Sequence, residues 1–175
     1  MPTKTFLNLS AEKQHTMYDA MYAEFSTYTL AESKISNIVT TAHISRGSFY
    51  TYFDDIDDAY QWVLTDVITD IHQTIDKKDI VSSTEAFILK AKTSPHFDFL
   101  SHYYIVNEAF LQQKTVKTAQ HDFKLLDTNS TTDDISQWLV IQSVHQLIRA
   151  FFLNPDKQAR IITTLHMLKN WRTVG

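Results

Sequence analysis

The sequence predicts an all-α chain, and three observations carry that reading. Only two glycines, Gly47 and Gly175, and three prolines, Pro2, Pro95 and Pro155, interrupt 175 residues. So few breakers call for long helices and short connections, not a sheet. Apolar residues recur at helical rather than alternating spacing, and capping residues stand in front of those runs. The expected architecture is a three-helix domain at the N-terminus followed by a helical bundle, about nine helices in total. A hydrophobic content of 43% is that of a globular chain long enough to bury its own core.

Ser10 is the expected N-cap of a first helix over about residues 11–28, with Met17, Ala20, Met21, Phe25 and Tyr28 on its inner face. Ser33 is the expected cap of a second, in which Ile35, Ile38, Val39 and Ala42 form an apolar stripe over two turns. His43-Ile44-Ser45 links it to a third helix, Arg46 to Phe53. Ser45 stands in the cap position, with Ile44 before it and Phe49 at the fourth helical position, the spacing of a hydrophobic staple. Two short helices joined by about three residues are a helix-turn-helix.

Asp54, Asp55, Asp57 and Asp58 stop the third helix and give a long fourth one, about 57–77, a negative first turn. Its inner face takes in Ala59, Trp62, Val63, Val67, Ile71 and Ile75, and Lys77-Lys78 fall near its last carbonyls. Ser82 with Glu85 has capping-box spacing and opens a fifth helix to about Lys92. Beyond Pro95 lies an aromatic stretch, His96 to Gln113. A helix over 114–127, a polar loop at 128–132, and two final helices at about 133–153 and 156–172 complete the reading.

Composition removes several classes of function. There is no cysteine, hence no disulfide framework and no thiolate metal site. No two of the eight histidines stand three or four residues apart, so no metal ligation is expected. With one interior glycine there is no phosphate loop, dinucleotide fingerprint or nucleophile elbow, and neither catalysis nor a cofactor is expected. The start of the chain lacks the apolar core of a signal peptide and no run is long enough to span a bilayer, so a cytoplasmic protein without membrane contact is expected. The net charge is −4, and in residues 1–53 Lys4, Lys13, Lys34 and Arg46 are balanced by Glu12, Asp19, Glu24 and Glu32. Bulk charge therefore does not announce a polyanion partner.

The stretch Ile38-Val39-Thr40-Thr41-Ala42-His43-Ile44-Ser45-Arg46-Gly47-Ser48-Phe49-Tyr50-Thr51-Tyr52-Phe53 closely resembles the DNA-binding signature of the TetR family of transcriptional regulators. In that pattern an Ile-Ala pair leads to Ala-Gly-Val-Ser, a Gly-Ser/Thr step and an aromatic run ending in Tyr-x-Phe. The likeness at motif level covers roughly residues 11–65. Two positions depart. The family's turn glycine is His43, a residue type that visits left-handed backbone angles more readily than most. The family's lysine three residues beyond the final phenylalanine is Ile56, set among aspartates.

The resemblance implies a ligand-responsive repressor that binds a palindromic site on double-stranded DNA as a homodimer. Residues 1–54 would be the DNA-binding part and 55–175 the ligand-sensing and dimerising part. The positions that match the motif imply DNA contacts by Ser45, Arg46, Gly47, Ser48, Tyr50, Thr51 and Tyr52, and the free N–H groups at the starts of the second and third helices are expected phosphate sites near Ser33, Lys34 and Ser45. Their chemistry suits such contacts. Arg46 can fork onto a guanine, the serine and tyrosine hydroxyls can meet phosphates or bases, and Gly47 lets the backbone come close. The dimer would form through the last two helices, where Leu139, Leu147, Phe151, Phe152, Ile161, Leu165, Leu168 and Trp171 exceed what each helix needs for its own core. Trp62, Phe87, Phe99, Tyr103, Tyr104 and Phe110 offer flat apolar walls and a few hydroxyls to a small apolar or aromatic effector, although such rings also serve as core. The alternative is a co-regulator of the same type that acts through a protein partner with weak or no DNA binding of its own.

Overall fold

In the computed structural model, which describes residues 1–115 and 126–174, every assigned element is helical. The expected helix over 114–127 lies largely outside the described residues. By packing, the chain divides into two compact units. One comprises Met1–Gln73 with Asp98–Asn107, the other Thr74–Phe97 with Glu108–Gly175.

The first unit opens with a short helix absent from the sequence reading, α1 (Lys4–Leu7), whose N-cap Thr3 accepts the Phe6 N–H. One turn is too short to stand alone, and tertiary contacts hold it. The Thr3 N–H donates to the Tyr52 carbonyl at 2.9 Å, and its hydroxyl donates to the Thr51 carbonyl at 2.8 Å. Phe6 is fully buried among the rings of Tyr52, Phe53 and Trp62.

Next come α2 (Ala11–Thr27), α3 (Ile35–Thr41), α4 (Arg46–Tyr52) and α5 (Ile56–Gln73). The inner face of α2 is as expected for Met17, Ala20, Met21 and Phe25. Tyr28 is not part of it: the helix stops at Thr27, and Tyr28 is extended and exposed. Helix α5 ends four residues before the expected position, so Lys77 and Lys78 do not flank its last carbonyls. There the Asp76 carboxylate accepts the Lys78 N–H in a local turn that competes with the helix.

Helix α7 (Phe97–His102) runs into a π turn, Tyr103–Asn107, and then α8 (Glu108–Thr115). Phe99 stacks between Tyr22 and Tyr60, at 5.8 and 5.4 Å between ring centroids. Burial holds the Tyr60 phenol in its neutral form by pushing its pKa up.

The second unit is built on α6 (Ile80–Lys90), α9 (Thr132–Leu153) and α10 (Gln158–Val174), which pack against one another. Ser82 is not the cap of α6. Asp79 is, accepting the Ser82 N–H at 3.1 Å, and the helix begins three residues earlier than a serine cap would allow. Glu85, freed from capping, meets His166 of α10 at 3.0 Å. Thr131 and Asp134 form a reciprocal capping box at the start of α9. On α9 and α10, Phe151, Phe152, Ile161 and Leu165 are buried in the core of this unit, whereas Ile135, Leu139, Leu153, Met167 and Trp171 are exposed. Half of the apolar excess expected at an interface is therefore internal packing.

Candidate nucleic-acid interface

Helix α3 has no side-chain cap of its own. Ser33 does not serve, because its hydroxyl donates back to the Thr29 carbonyl at 2.9 Å, and the cap position falls on Lys34. An acceptor for the cap residue's own N–H comes from α2 instead. Glu24 is buried, and its Oε1 accepts the Lys34 N–H at 2.7 Å and the Asn37 Nδ2 at 3.1 Å. A carboxylate at a helix start is favoured by the exposed N–H groups there, and a buried carboxylate must be bonded in this way to be tolerated. A carboxylate of the chain itself thus lies at the start of α3, bonded to the Lys34 N–H, where a phosphate near Ser33 and Lys34 is expected. The Lys34 side chain itself is exposed.

The turn to α4 depends on His43, the one described non-glycine residue at positive φ, +53°. A left-handed residue here lets the chain reverse between two helices of seven residues each. Ser45 then caps α4, accepting the Ser48 N–H at 3.0 Å; the two hydroxyls lie 2.8 Å apart. Phe49 and Phe53 are fully buried, which leaves Arg46, Gly47, Tyr50 and Thr51 exposed along the opposite arc of the helix. Arg46 folds over Tyr50, one turn on: Nη2 donates to the tyrosine hydroxyl at 3.2 Å, and the guanidinium carbon lies 5.7 Å from the ring centre. Tyr52 is half-buried against Phe6, and the Thr51 hydroxyl donates to the Gly47 carbonyl at 3.1 Å.

The aspartate run serves the chain itself. Asp55 accepts the Asp58 N–H at 2.8 Å and so caps α5. Asp58 accepts the Asp54 N–H and pairs with the Met1 ammonium. Ile56 is the first residue of α5.

The six rings read as candidate ligand walls are divided between the units: Trp62, Phe99, Tyr103 and Tyr104 belong to the first, Phe87 and Phe110 to the second. Trp62 packs with Phe6, Tyr18 and Phe53, beside the helix-turn-helix. Phe99 is fully buried within its ring stack. Tyr103 and Tyr104 are half-buried on the π turn, edge to face at 4.9 Å. Phe87 lies 6.4 Å from Phe152, ring to ring. Sequence reasoning missed Glu24 and Asn107. Glu24 had a faint signal, a carboxylate inside the apolar face of α2; Asn107 had only its place as a polar residue behind an apolar run.

A TetR transcriptional regulator from Rhodococcus sp. RHA1 aligns with 90% of this chain and 96% of its own, with a TM-score of 0.51 and 15% sequence identity. The chain shares that regulator's fold. A TetR family transcriptional regulator from Chloroflexus aurantiacus J-10-FL aligns over 97% of both chains at 19% identity, with a TM-score of 0.45. No protein-family model and no curated protein matches the sequence. None of the described helices is long and apolar enough to cross a membrane.

His43 gives a direct test of the turn. A side chain at positive φ is strained, and glycine relieves that strain while loosening the unfolded chain. His43→Gly is therefore expected to stabilise the protein by about 0.5–1 kcal/mol, measured by urea unfolding. Destabilisation would show that the imidazole makes contacts that outweigh the backbone strain.

Proposed function

We propose that the chain is a cytoplasmic DNA-binding transcriptional regulator of the TetR type, with residues 1–54 holding the operator and 55–175 sensing an effector and dimerising. Gly47 carries the reading. It lies inside α4 at an ordinary helical φ, and a Cβ built there would meet nothing closer than the Ser45 Oγ at 3.7 Å. The chain's own packing therefore does not call for glycine, which within a helix is worse than alanine by up to about 1 kcal/mol, and Gly47 stands in the first turn of α4. The reason for it lies outside the chain, in a surface that must come close to the α4 backbone. Arg46, Tyr50 and Thr51, exposed on the same arc, supply the donors and acceptors that a major groove reads, and Ser45, Ser48, Tyr52, Ser33 and Lys34 flank it toward phosphate. Arg46 must lift from Tyr50 to fork onto a base, or carry the tyrosine with it.

One observation favours a second reading, in which the protein works mainly through a protein partner. Glu24 places a negative charge at the start of α3, where a phosphate would otherwise be drawn.

Selection of bound sequences from random DNA, followed by binding titrations, tests both. Gly47→Ala should raise stability by about 0.5–1 kcal/mol and yet weaken operator binding. Arg46→Ala should cost about 1–3 kcal/mol of binding and relax the preference at one position per half-site. Lys34→Ala should weaken all sequences alike and flatten the salt dependence. If no sequence is enriched, and a shift at low salt shows no preference, the co-regulator reading takes its place.

For assembly, the exposed residues Ile135, Leu139 and Leu153 on α9 and Met167 and Trp171 on α10 are proposed to meet their copies across a two-fold axis. Leu139→Glu combined with Met167→Glu should give a folded monomer by light scattering. Leu165→Glu, at a fully buried site, should unfold the chain instead. A wild type that is monomeric at micromolar concentration overturns this part.

The effector proposed with this reading is a small apolar or aromatic molecule, with Tyr103 and Tyr104, half-buried on the π turn, among the candidate rings. Compounds that release DNA from the wild type should fail to do so with Tyr103→Ala, at a modest loss of stability. Truncating a filled core ring such as Phe99 should cost about 3–5 kcal/mol. Equal release from wild type and Tyr103→Ala removes Tyr103 from the site.

A further inference from the structure

One buried amide in the first unit joins three elements that lie far apart in sequence. Asn107 ends the π turn and is 1% exposed. Its Oδ1 accepts the Leu30 N–H at 2.9 Å, and its Nδ2 donates to the Tyr60 hydroxyl at 3.1 Å. The orientation of the amide follows from chemistry: a backbone N–H can only donate, so the oxygen must face Leu30 and the nitrogen Tyr60. Leu30 is itself buried and belongs to the connector between α2 and α3.

That connector, residues 28–34, is largely folded on itself. Glu32 accepts the Thr29 hydroxyl and N–H, and Ser33 returns to the Thr29 carbonyl. Two buried side chains hold it from outside. Glu24 grips its last residue, Lys34, from the helix just before it. Asn107 grips Leu30 from 77 residues away. The π turn matters to this second grip. It carries one residue more than an α turn, so an α register would swing the Asn107 side chain by roughly 100° about the helix axis and withdraw the amide from Leu30.

We propose that Asn107 is a positioning residue through which the segment 97–107 sets the α2–α3 connector, and through it the α3–α4 hairpin. With the turn in π register the hairpin is held. A change of the turn toward α register releases the Leu30 N–H, and the hairpin loosens. The consequence for DNA rests on the regulator reading above; the mechanical link does not.

The test compares Asn107→Ala, Asn107→Asp and Tyr60→Phe in the full chain, by residue-resolved amide exchange and by affinity for the selected operator. Asn107→Ala removes both arms. It should speed exchange at Leu30 and across residues 35–52 by about tenfold or more and weaken operator binding about tenfold. Tyr60→Phe removes only the arm to α5 and should leave Leu30 protected and binding within about twofold of wild type. Asn107→Asp keeps an acceptor facing Leu30 and should restore its protection; it decides the matter if the alanine variant does not fold. The proposal is overturned if Leu30 and residues 35–52 exchange in Asn107→Ala as in wild type. It is equally overturned if Tyr60→Phe loosens them as much, which would be general softening of the core, or if Asn107→Asp leaves Leu30 unprotected. If wild type binds no DNA while the exchange pattern holds, the link stands and the regulator reading falls.

Discussion

The helix-turn-helix of this protein depends on one buried carboxylate. Helix α3 has seven residues, too few to be stable by propensity alone. Its sequence, Ile-Ser-Asn-Ile-Val-Thr-Thr, is rich in β-branched residues that resist helix formation. Its cap position is a lysine, which cannot accept the first N–H groups. Glu24, from the neighbouring helix, instead accepts the cap residue's own N–H and ties the Asn37 side chain to the same carboxylate. Everything downstream inherits this placement. The stripe of α3 buries Ile38, His43 turns the chain, and Ser45 starts α4 at an angle that buries Phe49 and exposes Arg46.

The same carboxylate shapes the electrostatics of the candidate surface. A group at a helix start usually competes with phosphate for the same N–H donors. Here a carboxylate of the chain itself meets the Lys34 N–H at the start of α3, whereas α4 is capped by the neutral Ser45 hydroxyl. The aspartates before α5 are similarly engaged: Asp55 and Asp58 spend their lone pairs on backbone N–H groups and the Met1 ammonium. Their charge remains, but its first use is to start a helix. The exposed arc of α4 itself lies in a segment of zero net charge, residues 1–53.

The aromatic residues of the first unit form two sets with different work. Phe6, Phe53 and Trp62 surround the docking of α1 on the end of α4. Tyr22, Phe99 and Tyr60 form a parallel stack, and Asn107 closes it with an amide that satisfies both the Tyr60 hydroxyl and the Leu30 N–H. A polar group in such a place is tolerated only when fully bonded, and a fully bonded one specifies a single arrangement. The π turn is what brings that amide to its partners.

Local chemistry was enough to read a great deal of this from sequence. Scarcity of glycine and proline, helical spacing of apolar residues and the Ile44–Ser45–Phe49 pattern determined the all-α class, most helix positions and the exposed arc of α4, because each depends on neighbours within one or two turns. Ser45 as a cap follows from that same short range, whereas His43 as the left-handed residue is implied by the resemblance to the family motif. What only the tertiary structure decided lies where a group's partner is distant in the chain. Ser33 and Ser82 had the spacing of caps, yet Glu24 from another helix meets the Lys34 N–H, and Asp79, three residues before Ser82, caps α6 by accepting the Ser82 N–H. Helix α1 exists because Tyr52, Phe53 and Trp62 wait for Phe6. Phe151 and Leu165 were indistinguishable in sequence from Leu139 and Trp171, since a periodicity shows which face is apolar but not which of two apolar faces meets its own core. Asn107 gave no sign beyond being a polar residue behind an apolar run, for an amide in a helical run acquires meaning only from the N–H and hydroxyl that the fold brings within about 3 Å of it.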